Sequence, residues 1–235
     1  MHLFYHPALQ PTDTLGTLPD EDARHAIKTL RLGVGDPIAV TDGRGNRFLC
    51  VITKADTKQC GFRVERIETT PARQFAVRIC VAPTKNMDRI EWFVEKAVEL
   101  GIERISFFVG QHSERRVLKL ERIEKIAVAA MKQSLQSWLP QLDEAVSFTQ
   151  LLPAVTEAQR FIAHLPDDEV VPHLVRQALP GTSCAVLIGP EGDFSAQEVQ
   201  QAMAAGFRMA TLGPNRLRTE TAALTACQVV NLINA

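Results

Sequence analysis

The sequence predicts an α/β protein in two parts, on three observations. The first seventy residues hold short apolar–polar alternations around a tight turn signal. The rest alternates strand-like with helix-like runs, and two Gly-Pro loops each follow an apolar strand and lead into a helix. Short strands that must hide their edges predict a small barrel over residues 1–70. Strand–helix alternation predicts a mostly parallel sheet, covered on both faces, over residues 74–235. A chain of 235 residues is long enough to bury such cores.

In the first part, His25–Leu32 reads as a short helix ended near Gly33. Ile38–Thr41 and Arg47–Ile52 flank Asp42-Gly43-Arg44-Gly45-Asn46, a hairpin signal, and Gly61–Ile67 alternates as a half-buried strand does. Thr69-Thr70-Pro71-Ala72-Arg73 is the expected linker. Beyond it Val77–Ala82 is strand-like, and Ile90, Phe93, Val94, Ala97 and Val98 fall at helical spacing until Gly101. Further strands are predicted at Ile105–Val109, Arg160–His164, Cys184–Ile188 and Met209–Leu212. Ser195 and Glu198 form a capping box for a helix ending near Gly206. A last helix starts around Thr219 and buries Ala223, Ala226, Val230 and Ile233.

The net charge of −1 hides an asymmetry. Residues 1–133 carry 21 Lys and Arg against 17 Asp and Glu, while residues 134–235 carry 5 against 10. Phosphate contacts to a nucleic acid would therefore come from the first part. No apolar run is long enough to span a bilayer, and the first residues lack a signal peptide's basic and apolar regions, so the cytoplasm is the expected address with no membrane partner. Five scattered cysteines, none in a CxxC pair, predict buried free thiols and no metal site.

The chemistry concentrates in the two Gly-Pro loops. Ile188-Gly189-Pro190-Glu191-Gly192-Asp193-Phe194-Ser195 and Leu212-Gly213-Pro214-Asn215-Arg216-Leu217-Arg218-Thr219-Glu220-Thr221-Ala222-Ala223 both lie at carboxyl ends of strands, where α/β sheets bind ligands. Gly189, Gly192 and Gly213 remove side chains where a ligand would meet backbone N–H and C=O groups, which suit an adenine edge. Neither loop is a phosphate cradle, since GxxxxGK[ST] and GxGxxG are both absent.

Those two blocks, together with Glu99-Leu100-Gly101, Gln133-Ser134, Leu139-Pro140 and the N-terminal His25 with Leu30-Arg31-Leu32, resemble RsmE-type 16S ribosomal RNA uridine-N3 methyltransferases of the SPOUT superfamily. The resemblance covers most of the chain and implies a PUA-like, RNA-binding β-barrel followed by a SPOUT-type (trefoil-knotted) parallel-sheet domain. It also implies S-adenosylmethionine as methyl donor, 16S rRNA of the small ribosomal subunit as partner, and a homodimer. Carried onto this chain, it implies a donor site of Leu187, Ile188, Gly189, Pro190, Glu191, Gly192, Leu212, Gly213, Leu217, Arg218, Thr219, Thr221 and Ala222.

Methylation at uridine N3 requires loss of the imide proton, and charge then spreads onto the flanking carbonyl oxygens. Arg218 is the candidate to stabilise that charge because a guanidinium presents fixed donors and stays protonated, with Arg216 in reserve. Glu220 is expected to orient Arg218 or to accept the proton, and Thr219 or Thr221 to cap the last helix. The structural alternative pairs Arg218 with Glu191 or Glu220. Arg31, Arg44, Arg47, Arg115, Arg116 and Lys119 are the candidate phosphate contacts. His164 could be read as an acid-base group, but with no carboxylate or nucleophile partner pattern in the sequence it reads rather as lying near the donor pocket or as simply hydrogen-bonded at a strand end. Two other functions stay open, another SPOUT methyltransferase with a different RNA target and a ribosome-assembly binding protein without catalysis.

Overall fold

A computed structural model describes residues 1–165 and 170–235. The chain divides into two compact units, one of residues 1–72 with 128–139, the other of residues 73–127 with 140–235.

The first unit begins with β1 (Leu3–Tyr5), β2 (Leu15–Thr17) and α1 (Asp20–Arg24), which continues into a π-helical turn over His25–Thr29. β3 (Pro37–Thr41), β4 (Asn46–Lys54) and β5 (Gly61–Thr69) follow, and the sheet order is β1-β3-β4-β5-β2. β1 runs parallel to β3 and the other neighbours are antiparallel. Two register shifts in β4 let the sheet curl about Phe4, Ile38, Val40, Phe48, Ile52 and Phe62. Ala23 and Ala26 bring α1 and its π turn into the same core.

The predicted helix at 25–32 is corrected at both ends. It starts at Asp20, whose acidic first turn suits the positive helix end, and Arg31 turns left-handed at φ 57°, which stops it before Gly33. The segment 128–139, expected in the second domain, belongs to the first unit. Leu139 N–H donates to Gly43 O at 2.9 Å, Gly45 N–H to Ser137 O at 2.8 Å, and the Trp138 indole to Thr70 O at 3.0 Å.

The second unit contains β6 (Val77–Val81), α2 (Met87–Glu99), β7 (Arg104–Val109), α3 (Leu120–Gln133, its last turns counted with the first unit), β8 (Gln141–Ser147), α4 (Phe148–Leu151), β9 (Gln159–Ala163), α5 (Leu174–Gln177), β10 (Cys184–Ile188), α6 (Ala196–Ala204), β11 (Arg208–Ala210) and α7 (Thr219–Ile233). Its six strands pair in the order β11-β9-β10-β6-β7-β8, all parallel. Every residue of β6 and β10 is buried. Ala185 and Leu187 of β10 face a core shared with Phe148, Leu151 and Ala202. Their alternating neighbours Cys184, Val186 and Ile188 are buried on the other face, so the central strands are covered on both sides.

Local signals explain most boundaries. The Asn86 side chain accepts from Asp88 N–H and starts α2, and Ser195 with Glu198 makes both bonds of the capping box before α6. In α7, Ala223, Ala226 and Val230 are buried as expected, whereas Ile233 is only half-buried because the helix is ending there. The buried Arg78 in β6 is compensated by Ser106 Oγ at 2.9 Å, Ala154 O at 2.8 Å and the carboxylate of Glu157.

Candidate active site

The carboxyl ends of β9, β10 and β11 and the first turn of α7 enclose a cleft of about 1360 Å³. Ala163, His164 and Leu165 come from β9, Ile188 through Glu191 with Asp193 from β10, and Ala210 through Thr219 with Ala222 from β11 and α7. Two loops far apart in sequence meet because β10 and β11 flank β9. The Thr219 hydroxyl then joins them by donating to Gly189 O at 3.1 Å.

Of the predicted donor residues, Ile188, Gly189, Pro190, Glu191, Leu212, Gly213, Leu217, Arg218, Thr219 and Ala222 line this one cleft. Leu187, Gly192 and Thr221 do not. Leu187 points into the core, as strand alternation requires of the residue before Ile188, and Thr221 is exposed on α7. The expected helix cap is also corrected. Arg218 occupies the cap position without a side-chain cap bond, because the Thr219 hydroxyl is engaged with Gly189.

The glycines serve different ends. A Cβ on Gly192 would lie 2.9 Å from His112 Cβ, and one on Gly189 would lie 3.1 Å from the Phe194 ring. These two are small because protein packs against them, which corrects the reading that they make room for a ligand. Gly213 has φ 140°, and a Cβ there would meet nothing within 4 Å, so it alone of the three combines open space with a backbone that disfavours side chains.

Arg216 and Arg218 are exposed at the cleft, and among the described residues neither guanidinium has a hydrogen bond or ion pair. The structural alternative for Arg218 is thereby removed. Glu191 Oε1 accepts from Lys85 N–H at 3.0 Å instead. Glu220 is buried outside the cleft lining, with Oε1 3.8 Å from Arg89 Nε on α2 and Oε2 unpartnered among the described residues. No ion pair joins it to Arg218 among the described residues, because the first turn of α7 points it toward α2.

The basic candidates separate in the same way. Arg44 donates to Pro7 O at 2.6 Å and Leu9 O at 3.0 Å, Arg47 donates to Leu135 O, and Arg115 donates to Lys85 O at 2.8 Å. Those three brace backbone. Arg31, Arg116 and Lys119 are exposed with no side-chain partner among the described residues. All five cysteines are free and buried, and burial pushes the thiols of Cys80, Cys184 and Cys227 up to about 12, so none of these three supplies a thiolate at neutral pH.

Sequence reasoning offered His164 as near the donor pocket or simply hydrogen-bonded at a strand end, and the structure places it in the cleft lining. His164, with Nδ1 3.1 Å from Asp193 Oδ2, does have a carboxylate partner, which lies 29 residues away in sequence. The strand-end rule that singled out β10 and β11 applies equally to β9 and was the available signal. Among the described residues no group of three or more His, Cys, Asp or Glu side chains is placed to hold a metal ion, and no helix is long and apolar enough to cross a membrane.

A parallel α/β sheet with a cleft at its carboxyl edge, preceded by a small curled β unit, places the chain among two-unit α/β proteins. Within that class the chain belongs to the RNA methyltransferase domain family, whose sequence model matches residues 71–231, with an RNA methyltransferase PUA domain matching residues 18–65. It is similar to the ribosomal RNA small subunit methyltransferase E of Bacillus subtilis, with 26% identity over 232 residues that cover 92% of this chain and 89% of that one. Among solved structures, a probable rRNA-methyltransferase from Porphyromonas gingivalis is 40% identical at a TM-score of 0.91, covering 100% of this chain and 98% of that one. The ribosomal RNA small subunit methyltransferase E of Neisseria gonorrhoeae, solved bound to S-adenosyl methionine, is 26% identical at a TM-score of 0.87, covering 100% and 98%.

Proposed function

We propose that this protein transfers a methyl group from S-adenosylmethionine to N3 of a uridine in 16S rRNA of the small ribosomal subunit. The observation that carries the reading is the cleft in which both Gly-Pro loops converge with Arg218, unpaired among the described residues. The cleft fits the donor. Ile188, Leu212, Leu217 and Ala222 offer apolar wall, and Gly213 leaves backbone uncovered for an adenine edge. When bound, S-adenosylmethionine supplies an electrophilic sulfonium methyl.

The residues of the chain do the rest. Thr219, by holding Gly189 O, keeps the two loop walls at one separation. Arg218 holds its charge free of internal partners among the described residues and donates to the imide oxygens as the N3 proton passes to solvent water and negative charge develops there. Glu220 shapes the entry of α7 from below through its approach to Arg89. A stacked or paired uridine must leave its neighbours before its N3 reaches the cleft, which favours an unpaired site in structured RNA.

Arg31, Arg116 and Lys119 are the phosphate contacts in this reading. Replacing Arg116 and Lys119 together by Glu should weaken RNA binding and lower the salt slope by roughly 0.7–0.9 per lost phosphate contact. An unaltered slope in a salt titration removes them from the footprint. The homodimer, the cytoplasmic address and the trefoil knot belong to the same proposal.

The test offers labelled S-adenosylmethionine and the protein to small ribosomal subunits lacking the modification, followed by digestion to nucleosides. Label in 3-methyluridine supports donor, reaction and substrate together. Label in another nucleoside keeps the enzyme and changes its target. Donor binding without any label favours a non-catalytic RNA-binding role.

A further inference from the structure

We propose that His164 is a positioning residue for the donor loop and acts through Asp193, an assignment that rests on reading the cleft as the donor site. Asp193 has a left-handed backbone, φ 61°, one of three non-glycine residues among those described to do so. Aspartate tolerates this region better than most residues, but at a cost that its surroundings must offset. Its side chain supplies the offset. Oδ1 accepts from Phe194 N–H at 2.7 Å, and Oδ2 lies 3.1 Å from His164 Nδ1.

The two oxygens tie the residue to different bodies. Phe194 is buried and its ring stacks on Phe108 with centroids 6.0 Å apart, so the Oδ1 bond anchors Asp193 to the core. His164 lies at the carboxyl end of β9 and lines the cleft, so the Oδ2 contact anchors Asp193 to the strand that stands between the two loop walls. A carboxylate only accepts, so Nδ1 of His164 carries the proton and its ring is held in one tautomer. His112 grips the same loop from the β7 side, with Nδ1 3.1 Å from both Gly192 O and Asp193 O, but it does not line the cleft. His164 is thus the group that seats the loop after β10 against the end of β9, one of the strand ends that line the cleft.

The assignment makes a specific demand on a double-mutant cycle. Affinity for S-adenosylmethionine is measured by calorimetry, and kcat and donor KM by methyl transfer, for wild type, His164→Ala, Asp193→Gly and the double variant. Glycine at 193 adopts φ 61° without strain, so that variant removes both carboxylate bonds, to Phe194 N–H and to His164, without adding backbone strain. His164→Ala should raise the donor Kd and KM by roughly tenfold, the size of one charged hydrogen bond, Asp193→Gly by at least as much because it also loses the Phe194 bond, and the double change should lose no more than Asp193→Gly alone. At saturating donor kcat stays within about twofold of wild type. His164→Asn, whose amide N–H replaces Nδ1–H, should recover most of the affinity, and it decides the case if His164→Ala folds poorly. Multiplicative losses in the double variant, an unchanged Kd in His164→Ala, or no recovery in His164→Asn would overturn the role. A wild-type protein that binds no S-adenosylmethionine would instead remove the donor reading, and this assignment with it.

Discussion

The two walls of the cleft are built on the same dipeptide and differ in almost everything else. The loop after β10 is held from several sides: Thr219 on Gly189 O, Glu191 on Lys85 N–H, His112 on the carbonyls of 192 and 193, and His164 on Asp193. Its glycines are packed against protein. The loop after β11 has exposed Pro214, Asn215, Arg216 and Arg218, and open space over Gly213. One wall is held by bonds within the protein, and the arginines of the other have no hydrogen bond or ion pair among the described residues. The difference shows why a Gly-Pro motif alone does not tell what a glycine is for. At 192 the neighbour is His112, and at 213 there is none.

Four substitutions test that contrast, in descending order of effect. Arg218→Ala should lower kcat by roughly 10²–10³-fold, the usual loss of one donor to a developing oxyanion, while donor Kd measured by calorimetry changes little. Unchanged turnover would place the unspent charge of this wall outside the chemistry. Next come the two glycines. Gly192→Ala forces a methyl against His112 and should cost about 1–3 kcal/mol in chemical denaturation. Gly213→Ala should cost less stability and show its effect in donor affinity. The reverse ranking would mean that the open wall is the structurally constrained one. Thr219→Val should have the smallest effect, about 1 kcal/mol of stability with a modest rise in donor KM, because it breaks one hydrogen bond between the walls and leaves both in place. A Thr219→Val enzyme with wild-type donor KM and stability would show that the two loops hold their separation independently.

How much could be read in advance follows from the range of each interaction. The strands at 38–41, 47–52, 61–67, 77–82 and 184–188 and the helix from Thr219 were legible because alternation, turn residues and capping boxes act over a few neighbouring positions. β8 escaped notice because its sequence is polar. It is the edge of its sheet, and its Asp143 pairs with Arg104 on β7 at 2.7 Å rather than entering an apolar core. The π turn at His25–Thr29 has no sequence signature, and the placement of 128–139 in the first unit depends on backbone bonds to Gly43 and Gly45.

The sequence by itself determined that this is a strand-rich part followed by a parallel α/β part, that the two Gly-Pro loops end strands, and that their residues match those of an RNA methyltransferase family. Only the tertiary structure decided what those residues do with one another. It separated Arg218 from Glu220, turned Glu220 toward Arg89, committed Arg44, Arg47 and Arg115 to backbone carbonyls, and brought Asp193 to His164. The physical reason is that residue type sets the chemistry a side chain is capable of. Which partner it meets depends on strand order, since β10 and β11 stand on either side of β9, and on the direction in which a helix's first turn projects its side chains.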